Sequence, residues 1–130
     1  MDKIINWIFK NLHLLISVII VMPTGIIYGS NSILPKYLDI QVNTTDLSNM
    51  LKANMILYIG ISIVWILGMW KTEYWNRATE LNILFMLTLG IGRTLSIMID
   101  GIPTNGYIFG VIAELTIGLF SIYQLRKYKT

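Results

Sequence analysis

The chain has 130 residues, of which 55% are hydrophobic and only 13% charged, with a formal net charge of +3 and a mean hydropathy of +0.63. A soluble domain carries about twice that share of charge, and the absence of cysteine excludes disulfides, thiol catalysis and cysteine metal sites. The few bases gather at the ends of apolar runs instead of forming a stripe, a membrane pattern and not a nucleic-acid one.

The length allows one domain, residues 1–130. Its start, from Asp2 to Asn11, is amphipathic: Ile4, Ile5, Ile8, Phe9 and Leu12 share one helical face, and Asp2, Lys3, Asn6 and Lys10 the other. It leads into a first apolar run, residues 12–28. Lys3 and Lys10 before that run resemble the head of a signal peptide, but no small-x-small site follows at Ile27-Tyr28-Gly29-Ser30, so a retained spanning helix is expected. Pro23 and Gly25 predict a kink late in it. His13 is the only histidine, with no second histidine or carboxylate near in sequence; the expectation is an interfacial side chain and no metal site.

Ser30 to Thr44 is the longest polar connection, and Ile33, Leu34, Tyr37 and Leu38 are expected to lay a short segment on the outer surface. A cap signal at Thr45-Asp46 opens the second run, residues 47–70. A turn over Lys71–Asn76 leads to the third, residues 81–99, in which Asn82 is placed to hydrogen-bond between helices. The fourth, residues 107–125, follows the turn Asp100-Gly101-Ile102-Pro103-Thr104-Asn105.

Each run is near the ~20 residues that cross a bilayer, and with no water to satisfy the backbone each is expected as a helix. The fold expected is all-α, a transmembrane four-helix bundle with up-down topology and short links. Lys3, Lys10, Lys71, Arg77, Arg126, Lys127 and Lys129 fall on one side and only Lys36 and Lys52 on the other, which predicts cytoplasmic N and C termini. The expected setting is therefore multi-pass in a cytoplasmic (inner) membrane. Trp7, Trp70, Trp75 and Tyr123 would form the inner aromatic belt, with Tyr28 and Tyr107 in the outer one. Gly106, Gly110, Glu114 and Gly118 repeat every four positions, and Gly90 and Gly92 precede Arg93. Such small faces serve either packing inside one bundle or a homodimer face.

Arg93 and Glu114 sit inside apolar runs, where a charge needs a partner, a cavity or a task. If the last two runs form a hairpin, position 100 faces 107 and position 93 faces 114, both ~10 Å below the outer end at ~1.5 Å per residue. Ser96 and Asp100 follow Arg93 at i+3 and i+7, and Lys52 enters from the second helix at a similar level, with Asn49 and Tyr58 as nearby donors. Lys52, Arg93, Ser96, Asp100 and Glu114 are thus the candidate binding residues of an outward-facing polar pocket. The structural alternative is an ion pair that fixes helix register, with Lys52 snorkelling to the surface.

The segment from Gly92 to Pro103 carries Gly-Arg, a serine three residues on, then Asp-Gly-Ile-Pro, with Glu114 inside the last helix. It resembles the signature of an uncharacterised bacterial family of small four-helix membrane proteins, domain of unknown function 4345. Lys52-Ala53 fits the basic residue followed by alanine that opens the second helix in that family, whereas Asn54-Met55 stand where the family has more glycine. The resemblance runs from about Thr45 to Tyr123. It implies four spanning helices and a polar group set by Arg93, Asp100 and Glu114; it implies no activity.

The expected function is a non-catalytic binding or accessory protein whose polar pocket takes a lipid headgroup or small amphiphile, with membrane lipids as partners and no cofactor. One alternative is an oligomeric proton-coupled small-molecule transporter with Glu114 as the coupling carboxylate. Another is a structural subunit of a larger membrane complex, docked through the glycine stripe of the last helix. An enzyme is not expected, since no nucleophile–base pair or metal set is evident.

Overall fold

The computed structural model describes residues 1–129 and contains four long helices and one short one: α1 (Asp2–Gly29), α2 (Leu34–Tyr37), α3 (Thr45–Trp70), α4 (Thr72–Asp100) and α5 (Asn105–Tyr128). The long helices have 28, 26, 29 and 24 residues and are each long and apolar enough to cross a membrane. The chain is a multi-pass integral membrane protein of the all-α class. At ~1.5 Å per residue every long helix exceeds a ~30 Å hydrocarbon core, so polar first turns such as Asp2–Asn11 continue the helices past it.

Local chemistry sets the ends. Thr44, one residue before the expected cap, accepts a hydrogen bond from the backbone N–H of Leu47 at 3.1 Å and starts α3. The turn expected over Lys71–Asn76 contracts to Lys71 alone, an extended residue whose N–H still reaches Leu67 O at 2.8 Å. Gly101 ends α4 at φ 105°, a left-handed conformation that glycine adopts without a Cβ clash. Helix α1 runs on through Pro23 to Gly29.

The long helices pair as two antiparallel hairpins, α1 with α3 and α4 with α5; α3 lies against α4, and α1 meets α5 only slightly. Glycine sets the closest approaches. A Cβ on Gly25 of α1 would lie 2.8 Å from Tyr58 Cβ of α3, and one on Gly118 of α5 would lie 2.5 Å from Leu87 Cδ2 of α4. In lipid, where burying apolar surface gives no net drive, such contact supplies dispersion energy instead. Along the glycine stripe of α5, Gly118 is buried against Leu87, Gly110 lies beside Glu114 of the same helix, and Gly106, near Leu38, is exposed.

At the end that carries both termini, four helices are stitched together. Trp7 Nε1 donates to Met69 O at 3.1 Å, Trp75 Nε1 to Asn11 Oδ1 at 3.1 Å, and Gln124 Nε2 to Phe9 O at 2.6 Å. Trp75 is therefore buried and outside the aromatic belt, whereas Trp7, Trp70 and Tyr123 are exposed. His13 is not interfacial. It shares the inward stripe of α1 with Ser17 and Val21 and is wholly buried, with Nε2 2.9 Å from Thr79 Oγ1 of α4. The amphipathic first turns extend α1 and carry His13 inward with the stripe. Asn82, as its depth suggested, joins α4 to α5 through Ser121 Oγ at 2.9 Å.

Candidate functional site

Helices α1 and α5 are tied together by Gln124 and Phe9 at the end with the termini and meet again through Tyr28 and Tyr107 toward the other end. A cavity of about 450 Å³ opens among the helices toward that second end. Ile20 and Thr24 of α1, Phe85 and Leu89 of α4, and Ala113 and Ile117 of α5 form apolar walls. Tyr37 and Leu38, at the end of α2 and just after it, line the part nearest the α1–α3 connection. Leu34 is fully buried and anchors α2, so the outer segment is pinned to the bundle instead of lying loosely on its surface.

Two charges stand in the cavity wall. Arg93 of α4 and Glu114 of α5 meet as the hairpin geometry required, Nε to Oε1 at 3.0 Å, with side chains 19% and 12% exposed. The guanidinium carbon lies 4.9 Å from the centroid of the Tyr107 ring, a cation–π contact across one face. Tyr28 OH donates to Tyr107 OH at 3.3 Å, and the Tyr58 ring stands edge-on to Tyr28 with centroids 5.7 Å apart. All three tyrosines line the cavity. The second carboxylate oxygen, Glu114 Oε2, is buried and has no hydrogen-bond partner.

The other three candidate residues lie elsewhere. Lys52 is exposed on α3 and donates to Asn31 Oδ1 at 3.1 Å and Ser48 Oγ at 2.9 Å, tying the start of α3 to the connection after α1. The inward face of α3 is set by Leu51 and Tyr58, and Lys52, one residue on, is turned about 100° away from it. Ser96 Oγ donates to Asp100 Oδ2 at 2.8 Å, and both are exposed at the end of α4. Below them the inward stripe runs through Met86, Gly90 and Arg93 and continues at Ile97, so neither Ser96 nor Asp100 reaches the cavity. The guanidinium, the carboxylate and Tyr58 thus come together, and the second base and second carboxylate do not join them.

Tyr28 and Tyr107 are members of the site that sequence reasoning assigned to the outer aromatic belt. The signal was present for Tyr107, which stands seven residues before Glu114, two turns along one helical face. For Tyr28 it was not, because only the packing of α1 against α3 turns that ring inward.

No curated protein and no solved structure matches the chain. The family model described as a domain of unknown function (DUF4345) matches residues 9–125. That span contains every residue of the cavity wall as well as the Gly-Arg…Asp-Gly-x-Pro…Glu pattern, and the chain belongs to this family.

Proposed function

We propose that the protein is a non-catalytic membrane protein that binds a small amphiphile or membrane lipid in the cavity between α1 and α5, with the polar end at Arg93 and Glu114. The observation that carries the reading is the cavity itself: about 450 Å³ of mostly apolar space with one charged pair and four tyrosines in its wall. Ligand sites have this composition, an apolar body with a few placed polar groups, and volumes of roughly 300–1,000 Å³. A salt bridge that served only register would be better stabilised by close packing than by a gap beside it. The excess of Lys and Arg at the end with the termini supports a cytoplasmic placement of that end and an opening toward the outer leaflet of a bacterial inner membrane.

Transport has less in its favour. Between Glu114 and Ser121 the inward positions of α5 are Ile117 and Gly118, and on α4 Met86 separates Asn82 from Gly90, so along these two helices no polar side chain joins the two halves. Subunit docking through the glycines of α5 loses part of its surface, because Gly118 is taken up against Leu87 within the chain.

The test is extraction of the purified protein and mass spectrometry of what it retains, comparing the native sequence with Ala113→Phe, which puts a ring into the cavity. Retention of a stoichiometric amphiphile by the native chain and its loss from the variant is expected. Equal retention by both removes the cavity as the binding site.

A further inference from the structure

Resting on the cavity reading above, we infer that the preferred occupant is a neutral amphiphile whose polar end is a hydroxyl that donates a hydrogen bond to Glu114 Oε2, and not an anionic headgroup. Charge is the first argument. With Lys52 and Asp100 on the surface, the cavity wall holds one guanidinium and one carboxylate in contact, so the site is neutral as built. An anion entering it would face a cation already neutralised and would lose its hydration for no free counter-charge.

Hydrogen-bond accounting is the second argument. Glu114 Oε1 is in ion-pair contact with Arg93 Nε, and two atoms of the pair, Arg93 Nε and Glu114 Oε2, are buried without a hydrogen-bond partner. An ionised carboxylate only accepts, so the missing partner is a donor. Leaving such an acceptor unmatched is costly away from water, and a bond to a charged acceptor is stronger than one between neutral groups. Tyr107 completes the pattern. Its oxygen accepts from Tyr28, so its own proton remains to be given to an oxygen in the same cavity. Most of the remaining wall, with Phe85, Leu89, Ala113 and Ile117, is apolar and suits an alkyl or ring body.

The experiment uses the full chain in phosphatidylcholine nanodiscs and four probes of equal chain length: decan-1-ol, 1-methoxydecane, decyl phosphate and decane. Binding is read as the thermal shift of the native chain minus that of Ala113→Phe, or of Thr24→Phe from the α1 wall, which removes the general effect of each probe on the bilayer. Decan-1-ol is expected to half-saturate at a concentration roughly tenfold lower than 1-methoxydecane, the worth of one hydrogen bond to a charged acceptor. Decyl phosphate and decane are expected to bind more weakly than the alcohol. In Glu114→Gln the amide N–H₂ can donate where Oε2 could only accept, and the alcohol and ether should come within about twofold of each other.

Equal binding of alcohol and ether by the native chain, or tightest binding of the phosphate, overturns the hydroxyl inference and leaves the cavity reading intact. A full alcohol preference kept by Glu114→Gln overturns the role of Oε2. If no probe separates the native chain from both cavity-filling variants, the cavity reading itself fails. The native-chain comparison of alcohol with ether stands even where Glu114→Gln does not fold.

Discussion

The two halves of this bundle solve the same problem, polar groups inside a membrane protein, in opposite ways. Toward the termini, Asn11, His13, Thr79, Asn82, Ser121 and Gln124 are buried and uncharged, and hydrogen bonds link each of them to another helix. Single atoms, His13 Nδ1 and Asn82 Oδ1, stay unmatched there. Toward the other end, one ion pair and four tyrosines line an open space, and one carboxylate oxygen of the pair is buried without a partner. Neutral cross-links hold helices together without charge desolvation, whereas a buried ion pair is weak evidence for stability. The contrast fits cohesion in the first half and the recognition we propose in the second.

The variants expected to break this contrast most severely are those that isolate one charge. Arg93→Met or Glu114→Leu alone leaves the partner buried and unpaired and should lower stability by about 3–5 kcal/mol. The double variant should recover most of that loss, because apolar replacement of a buried pair is often neutral or stabilising. Thermal unfolding in detergent micelles measures all three. A double variant as unstable as the singles would mean that the pair holds the bundle together and that the division between halves is wrong.

Two glycines of one helix sharpen the comparison at the next level. Gly118 lies where α5 touches Leu87, and Gly118→Val should destabilise by roughly 1–3 kcal/mol through overpacking. Gly110 lies beside the cavity, where an added Cβ would find Glu114 Oε1 at 3.8 Å, an ordinary contact. Gly110→Ala should therefore be neutral or raise stability by up to about 1 kcal/mol through helix propensity. The two melting temperatures, taken under one condition, should move in opposite directions or differ clearly in size.

A smaller effect tests the cross-links themselves. Asn82 donates to Ser121 Oγ, which in turn donates to Ile117 O. A double-mutant cycle of Asn82→Ala and Ser121→Ala should give a coupling of about 0.6 kcal/mol and no more than about 1.7, the range for hydrogen bonds between membrane helices. Unfolding titrations of the four proteins supply it. A coupling near zero would show that this bond, though buried, does not hold α4 to α5.

The sequence made one part of this legible and hid the other. Apolar runs of the right length give four spanning helices, because hydrocarbon permits no other form for them. The short turn at Gly101 and Pro103 set the α4–α5 register closely enough to bring Arg93 opposite Glu114. Across helices not joined by a short turn, depth was readable but rotation was not. Lys52 stands at a suitable level on α3, yet the inward stripe through Leu51 and Tyr58 leaves it outside. The cavity was invisible for the same reason: its wall is drawn from α1, α3, α4 and α5, helices distant in sequence whose rotations the sequence leaves open. Hydrophobic periodicity says little here, since lipid-facing and core-facing positions are both apolar.

The last and smallest prediction concerns the residues that the structure separates from the cavity. Lys52→Gln removes a surface cation bonded to Asn31 and Ser48, and Ser96→Ala removes a bond to Asp100 at the exposed end of α4. Exposed polar contacts of this kind contribute little, so each variant should stay within about 0.5 kcal/mol of the parent in thermal unfolding. Each should also leave amphiphile retention unchanged, because neither side chain lines the cavity. Loss of retention in Lys52→Gln without loss of stability would give the base on α3 a part in the site. The site would then carry net positive charge and favour an anion, which makes this nearly silent variant a check on the neutrality from which the hydroxyl ligand was inferred.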